Sequence, residues 1–204
     1  IPMDDEYIIF LIDASRSMRG IRDIIDLQFT AILDTYPIVK GIQVMSNDGK
    51  FLFPETEGEW IEDSTPKRQE ILGTYIIQND ILSNPKKGLL AAVNMYIKQD
   101  KDFCIFVLGD DFEGFEDIGR LIATIKNVKE GTSSGARVRI HGMGFPTLLD
   151  HLKNVGGESY LYAYQRLKKY AALMRNLSNL NNGAFIGLNT TDPREWKGAS
   201  SGGT

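Results

Sequence analysis

Two unbroken apolar runs constrain the fold of this chain more than any other feature. "YIIFLI" at 7–12 and "FCIFVL" at 103–108 are rich in β-branched and aromatic residues. Runs of this length and composition are typical of strands covered on both faces, as in a parallel sheet. The alternating segment "VRIHGM" at 138–143 predicts a further strand nearer an edge, and "AFIGL" at 184–188 predicts a short last strand.

A hairpin and several amphipathic helices are predicted between these strands. "IQVMS" at 42–46, "NDG" at 47–49 and "KFLF" at 50–53 predict two antiparallel strands joined by a tight turn. Strands that alternate with amphipathic helices predict an α/β fold with a mostly parallel central sheet. Four other segments repeat apolar residues at helical spacing: Ile21, Ile25, Phe29, Ile32 and Tyr36; Leu89, Leu90, Val93 and Ile97; Ile118, Leu121, Ile122, Ile125 and Val128; and Leu167, Tyr170, Ala171, Met174 and Leu177.

The length of the chain suits one domain. Its 204 residues are enough for one well-buried core, and we expect a single domain over 1–189. Residues 54–82 are acidic and contain two prolines, so they predict a surface loop with one short helix. The stretch 145–165 predicts an inserted loop, and 190–204, with its Gly- and Ser-rich end, predicts a linker or tail.

The charge balance argues against several classes of partner. The chain carries 23 basic and 27 acidic side chains, a net charge of -4, which argues against nucleic acid or an anionic membrane as the main partner. The densest basic cluster, "RLKKY" at 166–170, is interpreted as the solvated face of a helix. The longest strongly apolar run, 7–12, is too short to cross a bilayer, so we expect no direct membrane insertion of this segment.

Polar side chains follow both apolar runs at the point where each predicted strand ends. Asp13, Ser15 and Ser17 come after the first run, and Asp110 and Asp111 come after the second. In an open α/β sheet, ligands bind beyond the carboxyl ends of the strands. The residues Asp13, Ser15 and Ser17 are therefore either a polar turn that caps the next helix or one half of an oxygen-ligand metal site.

These segments resemble the von Willebrand factor A family, also called integrin I-like domains. "DASRSM" at 13–18 is similar to the DxSxS motif of that family, and "FVLGDDFEG" at 106–114 resembles its later strand and aspartate. "ILSNPKKGLLAAV" at 81–93 resembles the segment that carries the family's threonine, and "NLSNLNNGAFIGL" at 176–188 resembles the last helix and strand. The resemblance spans roughly 7–189. It implies a three-layer αβα sandwich with a mostly parallel, doubly wound sheet and one antiparallel edge strand.

The resemblance also implies a metal-ion-dependent adhesion site, or MIDAS. Ser15 and Ser17 would ligate the ion directly, and Asp13 and Asp110 would act directly or through water. The family's threonine falls on Ser83, which is either a third hydroxyl ligand or a helix N-cap. The ion implied is Mg²⁺, with Mn²⁺ or Ca²⁺ as alternatives, because hard oxygen ligands suit these ions.

The sequence departs from the family pattern beside the predicted aspartate. Asp111 stands where the family more often has a glycine. Its carboxylate is either an extra acidic group at the site or a favourable charge at the N-terminus of the following helix.

A binding function follows from the implied site. We expect a non-enzymatic, adhesion or complex-assembly module that captures an Asp or Glu of a partner protein on its metal ion. The alternatives are a metal-free scaffold in an ATPase- or chaperone-type assembly, and a metal-dependent hydrolase, which lacks a histidine base in the predicted site. We expect the chain to come from a larger bacterial protein that is exported or membrane-tethered. Its location would then be the periplasm or the cell surface, and the alternative is the cytoplasm.

Overall fold

Six strands form the centre of the structure. The computed structural model describes residues 5–36, 38–74, 85–112, 118–131, 135–152 and 156–191. Within these residues the strands are β1 at Tyr7–Ile12, β2 at Gly41–Ser46, β3 at Ile61–Glu62, β4 at Phe103–Gly109, β5 at Val138–Gly144 and β6 at Phe185–Gly187. They form one sheet in the order β3-β2-β1-β4-β5-β6. All neighbouring pairs are parallel except β2 and β3.

Helices cover both faces of this sheet. Successive side chains of a strand point to opposite faces, so β1 contributes Ile8 and Phe10 to one core and Ile9 and Leu11 to the other. The helices are α1 at Arg22–Thr35, α2 at Thr65–Gly73, α3 at Lys86–Tyr96, α4 at Ile118–Glu130, α5 at Thr147–Leu152 and α6 at Gly157–Leu180, with short 3₁₀ helices at Arg16–Ile21, Pro54–Thr56 and Ile97–Gln99. Helices α1 and α2 pack on the first core, and α3, α4 and α6 pack on the second. The predicted three-layer αβα sandwich is confirmed.

The order of the strands creates one special position at the carboxyl edge of the sheet. The chain adds β2 and β3 on one side of β1 and then returns to add β4, β5 and β6 on the other side. Ile12, the last residue of β1, is in register with Leu108 of β4. The strand order therefore reverses between β1 and β4. This reversal is the switch point of the sheet, the position at which ligands of open α/β sheets bind.

The predicted hairpin after β2 forms only in part. A turn follows β2, with Gly49 at a φ of 86°, but the segment 50–53 contributes one isolated bridge between Phe51 and Met45 rather than a strand. Pro54 begins a 3₁₀ helix there, and its ring removes the amide donor that a continuing ladder needs. The antiparallel edge strand is β3, which lies in the segment predicted as a loop.

The prediction of an inserted loop over 145–165 is wrong where the structure describes this segment. Residues 147–152 form α5, and the first turns of α6 begin at Gly157. Leu161 and Tyr162 in these turns are 56% and 59% exposed, so the turns have no buried apolar stripe that indicates a helix. The end of the predicted tail, 192–204, lies outside the described residues.

A helix that spans a bilayer needs about 20 mostly apolar residues. None of the helices in the described part of the chain has both that length and that apolar character.

Candidate metal centre

The loop after β1 holds the carboxylate of Asp13 in a fixed orientation. One oxygen of Asp13 accepts a hydrogen bond from the amide of Ser15 at 2.8 Å and another from the side-chain amide of Asn47 at 3.2 Å. The side-chain oxygen of Asn47 accepts in turn from the amide of Ala14 at 3.3 Å. Asn47 directly follows β2, so the ends of two strands jointly orient one buried carboxylate.

The two serines face each other rather than capping a helix. Ser15 precedes the 3₁₀ helix Arg16–Ile21, but its side chain makes no capping hydrogen bond there. Its Oγ lies 3.0 Å from Oγ of Ser17. This geometry disfavours the reading of Ser15 as a simple cap and leaves two hydroxyls side by side at the switch point.

Asp110 lies between the hydroxyl of Ser17 and the ends of β4 and β5. It directly follows β4 and is 1% exposed. The hydroxyl of Ser17 lies close enough to its carboxylate to favour the charged form, and the hydroxyl of Thr147, at the start of α5, donates to its Oδ2. Burial raises the pKa of Asp110 above its usual range, and the two hydroxyls and the nearby Arg166 offset part of that increase.

One oxygen of Asp110 points to the kind of ligand that this pocket would accept. Its Oδ1 is buried and has no hydrogen-bond donor among the described residues. A buried carboxylate oxygen without a donor is costly unless a cation or another donor satisfies it. The surrounding oxygens of Ser15, Ser17 and Asp13 are suitable ligands for a hard divalent cation, so the residues present fit the ion that a MIDAS requires.

A second carboxylate lies beside the first but makes a different contact. Asp111 is 1% exposed, and Arg166 of α6 forms an ion pair with its Oδ2. Burial raises the pKa of Asp111, and Arg166 lowers it in part. Residues 113–117, which join Asp111 to the described part of α4, lie outside the described ones, so its predicted place at the N-terminus of that helix stays a prediction.

The structure brings four of the five predicted site residues together. These four residues form a continuous series of neighbours. The amide of Ser15 donates to Asp13, the hydroxyls of Ser15 and Ser17 lie 3.0 Å apart, and Ser17 lies beside the carboxylate of Asp110. Ser83 lies outside the described residues. In the part of the chain with an assigned placement, no group of three or more His, Cys, Asp or Glu side chains is arranged to hold a metal ion. A cation here would therefore depend on hydroxyl ligands as well as carboxylates, and the roles of the five residues as ligands stay a prediction.

Three further residues at the site were missed by sequence reasoning. Asn47 was assigned to the turn of the hairpin, although it directly follows β2 and so lies at the same edge as Asp13. Thr147 follows the end of β5 in "GFPT", which is an equivalent position. Arg166 was assigned to a solvated face, although it lies four residues before the buried Tyr170 and so on the same side of the helix.

The comparisons with known proteins bear on the fold. No protein-family model and no curated protein matches the chain. Among solved structures, a von Willebrand factor type A protein from Catenulispora acidiphila superposes with a TM-score of 0.57 at 15% identity, over 92% of this chain and 39% of the other. Proximal thread matrix protein 1 from the mussel byssus, whose structure has a zinc-occupied MIDAS motif, superposes with a TM-score of 0.58 at 14% identity, over 94% of this chain and 43% of the other.

These likenesses concern the architecture of the chain. The chain spans about two fifths of the length of each of these two structures. Both superpositions cover more than nine tenths of the chain, and the strand order and the single antiparallel edge strand agree with a doubly wound sheet. The chain therefore has the fold of a von Willebrand factor A domain.

Proposed function

We propose that this chain is a non-enzymatic binding module that holds a divalent cation between β1 and β4 and uses it to capture an acidic side chain of a partner protein. The observation that carries the proposal is Oδ1 of Asp110, which is buried and has no hydrogen-bond donor among the described residues. The hydroxyl of Ser17 adjoins the same carboxylate and lies 3.0 Å from that of Ser15. The carboxylate lies at the switch point of the sheet, where a ligand is expected.

The proposed roles of the residues follow from their contacts. Ser15 and Ser17 bind the ion directly, Asp13 and Asp110 bind it directly or through water, and Ser83 is the predicted third hydroxyl. The ion supplies an electrophilic position that a carboxylate of the partner can occupy. Because neutral hydroxyls supply part of the coordination, the ion keeps more of its positive charge than it would among carboxylates alone.

The surroundings of the site support an acidic partner. Arg16, between the two serines, is exposed, and a positive charge at the rim steers an acidic group towards the ion. The ring of His141 stacks on Phe106, and its Nδ1 accepts a hydrogen bond from the amide of Ala184. Nδ1 of His151 lies 2.7 Å from the carbonyl oxygen of Thr147. These contacts engage both histidines and favour binding over hydrolysis.

The identity of the cation is part of the proposal. Mg²⁺, Mn²⁺ and Ca²⁺ suit the oxygen ligands, and the mussel protein shows that a MIDAS of this fold also holds zinc. All four ions therefore belong in the test.

Metal titration by calorimetry tests the proposal. Each ion is titrated into chelator-stripped protein, beside Asp110→Asn and Ser17→Ala. We expect saturable 1:1 binding in the wild type, no binding in Asp110→Asn, and binding about tenfold weaker in Ser17→Ala. Asp102→Asn at the opposite end of β4 and Ser178→Ala in α6 are matched controls, because their side chains contact Arg137 and the carbonyl of Ala184 instead.

A selection of displayed peptides tests the partner chemistry. Peptides recovered with Mn²⁺ present are expected to contain Asp or Glu, and their binding should disappear with chelator or after Asp→Asn or Glu→Gln substitution. Flat calorimetric traces at millimolar metal from folded wild-type protein would contradict the proposal and would favour the metal-free scaffold.

A further inference from the structure

The ion pair between Asp111 and Arg166 is the feature of the site that the proposed function does not use. The side chain of Asp111 is 1% exposed and that of Arg166 is 21% exposed. The Oδ1 of Asp111 has no hydrogen-bond donor among the described residues, like the Oδ1 of Asp110. Among the described residues, these two adjacent buried carboxylates thus each retain one oxygen without a donor, and it is Asp111 that forms an ion pair with a protein cation.

The position of Arg166 depends on the anchoring of α6. Tyr170, one helical turn further along, is fully buried, and its hydroxyl donates to the carbonyls of Val107 on β4 and Met143 on β5 at 3.3 and 3.2 Å. Residues four apart share one side of a helix. The contact of Tyr170 with both strands therefore directs Arg166 towards the carboxyl edge, where Asp111 lies.

The charge of Arg166 reaches both carboxylates. It lowers the pKa of Asp111 through the ion pair and lowers the pKa of Asp110 through its electrostatic field. Asp110 and Asp111 also repel each other, which raises the pKa of Asp111. A cation bound at Asp110 would therefore experience Asp111 as an attraction and Arg166 as an opposing repulsion.

We propose that Arg166 is an internal counter-cation that withholds Asp111 from the metal ion and so limits the negative charge of the site. This inference rests on the proposed function. With Arg166 present, the ion is held by two carboxylates and hydroxyls and retains the charge that attracts a partner carboxylate. Without Arg166, Asp111 becomes a third carboxylate at the ion, which binds the metal more tightly and repels an acidic partner.

Calorimetric titration of Mn²⁺ and Mg²⁺ into a set of variants tests this role. Arg166→Met should tighten metal binding about tenfold, and Asp111→Asn should weaken it about tenfold because Arg166 then lacks its counter-charge. The double variant Asp111→Asn/Arg166→Met should bind as the wild type does. Arg175→Met removes another arginine from α6, where it lies over the ring of Phe185, and should leave the affinity unchanged.

The double variant distinguishes the counter-cation role of Arg166 from two alternatives, in which Asp111 is a direct ligand or the ion pair is only structural. Were Asp111 a direct ligand, the double variant would bind metal more weakly than the wild type, and that result would overturn the inference. Equal affinities in all variants would identify a structural ion pair and would also overturn it. If Arg166→Met does not fold, the metal affinities of Asp111→Asn and of the double variant still test the inference, because neither variant buries a lone carboxylate at position 111. A higher affinity in the double variant than in Asp111→Asn supports the inference.

The same experiment separates this inference from the proposed function. Wild-type binding with no effect of Arg166 overturns the inference alone. Flat traces in the wild type with binding in Arg166→Met support the counter-cation and contradict metal binding by the native site. Flat traces throughout overturn both.

Discussion

The backbone amide of Asp13 donates a hydrogen bond to the carbonyl oxygen of Leu108 at 2.8 Å. This bond extends the parallel pairing of β1 and β4 by one step beyond the register of Ile12 and Leu108. The two acidic residues of the candidate site, Asp13 and Asp110, are thereby held on adjacent strand ends by backbone geometry. Because a backbone bond sets this arrangement, we expect a substitution that removes the proposed metal binding to leave the fold intact.

Asn47 is expected to control the orientation of Asp13. Asn47→Ala removes the donor to Asp13 and the acceptor for the amide of Ala14, and we expect it to lower the free energy of unfolding by about 1–3 kcal/mol. Metal affinity should fall as well, because the Asp13 carboxylate loses the hydrogen bond from the side-chain amide of Asn47 that helps to orient it. Urea denaturation and metal titration measure the two effects. Asn47→Asp, which keeps the acceptor and adds charge, should retain the amide bond, and unchanged metal affinity in Asn47→Ala would contradict this role.

Thr147 is expected to stabilise the domain through Asp110. Thr147→Val has nearly the same shape but removes the hydroxyl that donates to the buried carboxylate. We expect a loss of about 1–3 kcal/mol in the free energy of unfolding without metal, measured by urea denaturation. Thr147→Ser keeps the donor and should lose much less. A larger loss in Thr147→Ser than in Thr147→Val would show that the methyl group, rather than the hydroxyl, matters.

The stability of the domain should decrease in mild acid because of His141. Burial lowers the pKa of His141 from the usual 6.5 to about 4. Between these values the unfolded chain binds a proton that the folded chain does not, so the free energy of unfolding falls as the pH drops from 6.5 to 4. The loss from this residue is about 3 kcal/mol.

A variant without a titrating ring isolates this contribution. His141→Asn can still accept the hydrogen bond from the amide of Ala184 but stays neutral. Denaturation curves at several pH values should show a shallower decline for His141→Asn than for the wild type. Parallel declines would assign the acid sensitivity to other groups.

Gly88 is expected to be required for the approach of α3 to the candidate site. A Cβ at this position would lie 2.5 Å from Cδ1 of Leu11 and 2.7 Å from the carbonyl oxygen of Ser46. Gly88→Ala should therefore destabilise the domain by about 1–3 kcal/mol, measured by thermal or urea denaturation. Gly73→Ala is the matched control, because a Cβ there meets nothing within 4 Å. That change should be neutral or stabilise by about 0.4–1 kcal/mol.

Much of the sheet was predictable because its strands are covered on both faces. The runs that became β1 and β4 are continuous apolar segments, since both faces of each strand pack under helices. The same logic failed for short or exposed elements. β3 is two residues long, and the first turns of α6 present exposed Leu161 and Tyr162, so neither has a pattern of burial to recognise.

The candidate site likewise contains residues that the sequence predicts and residues that it does not. Asp13, Ser15, Ser17 and Asp110 were predictable because each follows an apolar run, and the carboxyl ends of parallel strands meet at one edge. The site also includes Asn47 after β2, Thr147 at the start of α5 and Arg166 of α6. Their positions in the chain do not show which side chains they meet. A hydroxyl that meets a buried carboxylate, as Thr147 meets Asp110, is a property of two segments that are distant in the chain.

The sequence by itself determined the α/β class and the main strands and helices, because the spacing of apolar residues indicates which faces are buried. It also determined which polar residues follow the strand ends, and these are the residues that suggest a cation site. The tertiary structure decided which of these side chains meet and how their charges balance. It paired Asp111 with Arg166, and it buried one oxygen of Asp110 where none of the described residues donates to it. These features depend on the relative placement of β4 and α6, and electrostatic energy depends on distance and burial rather than on order along the chain.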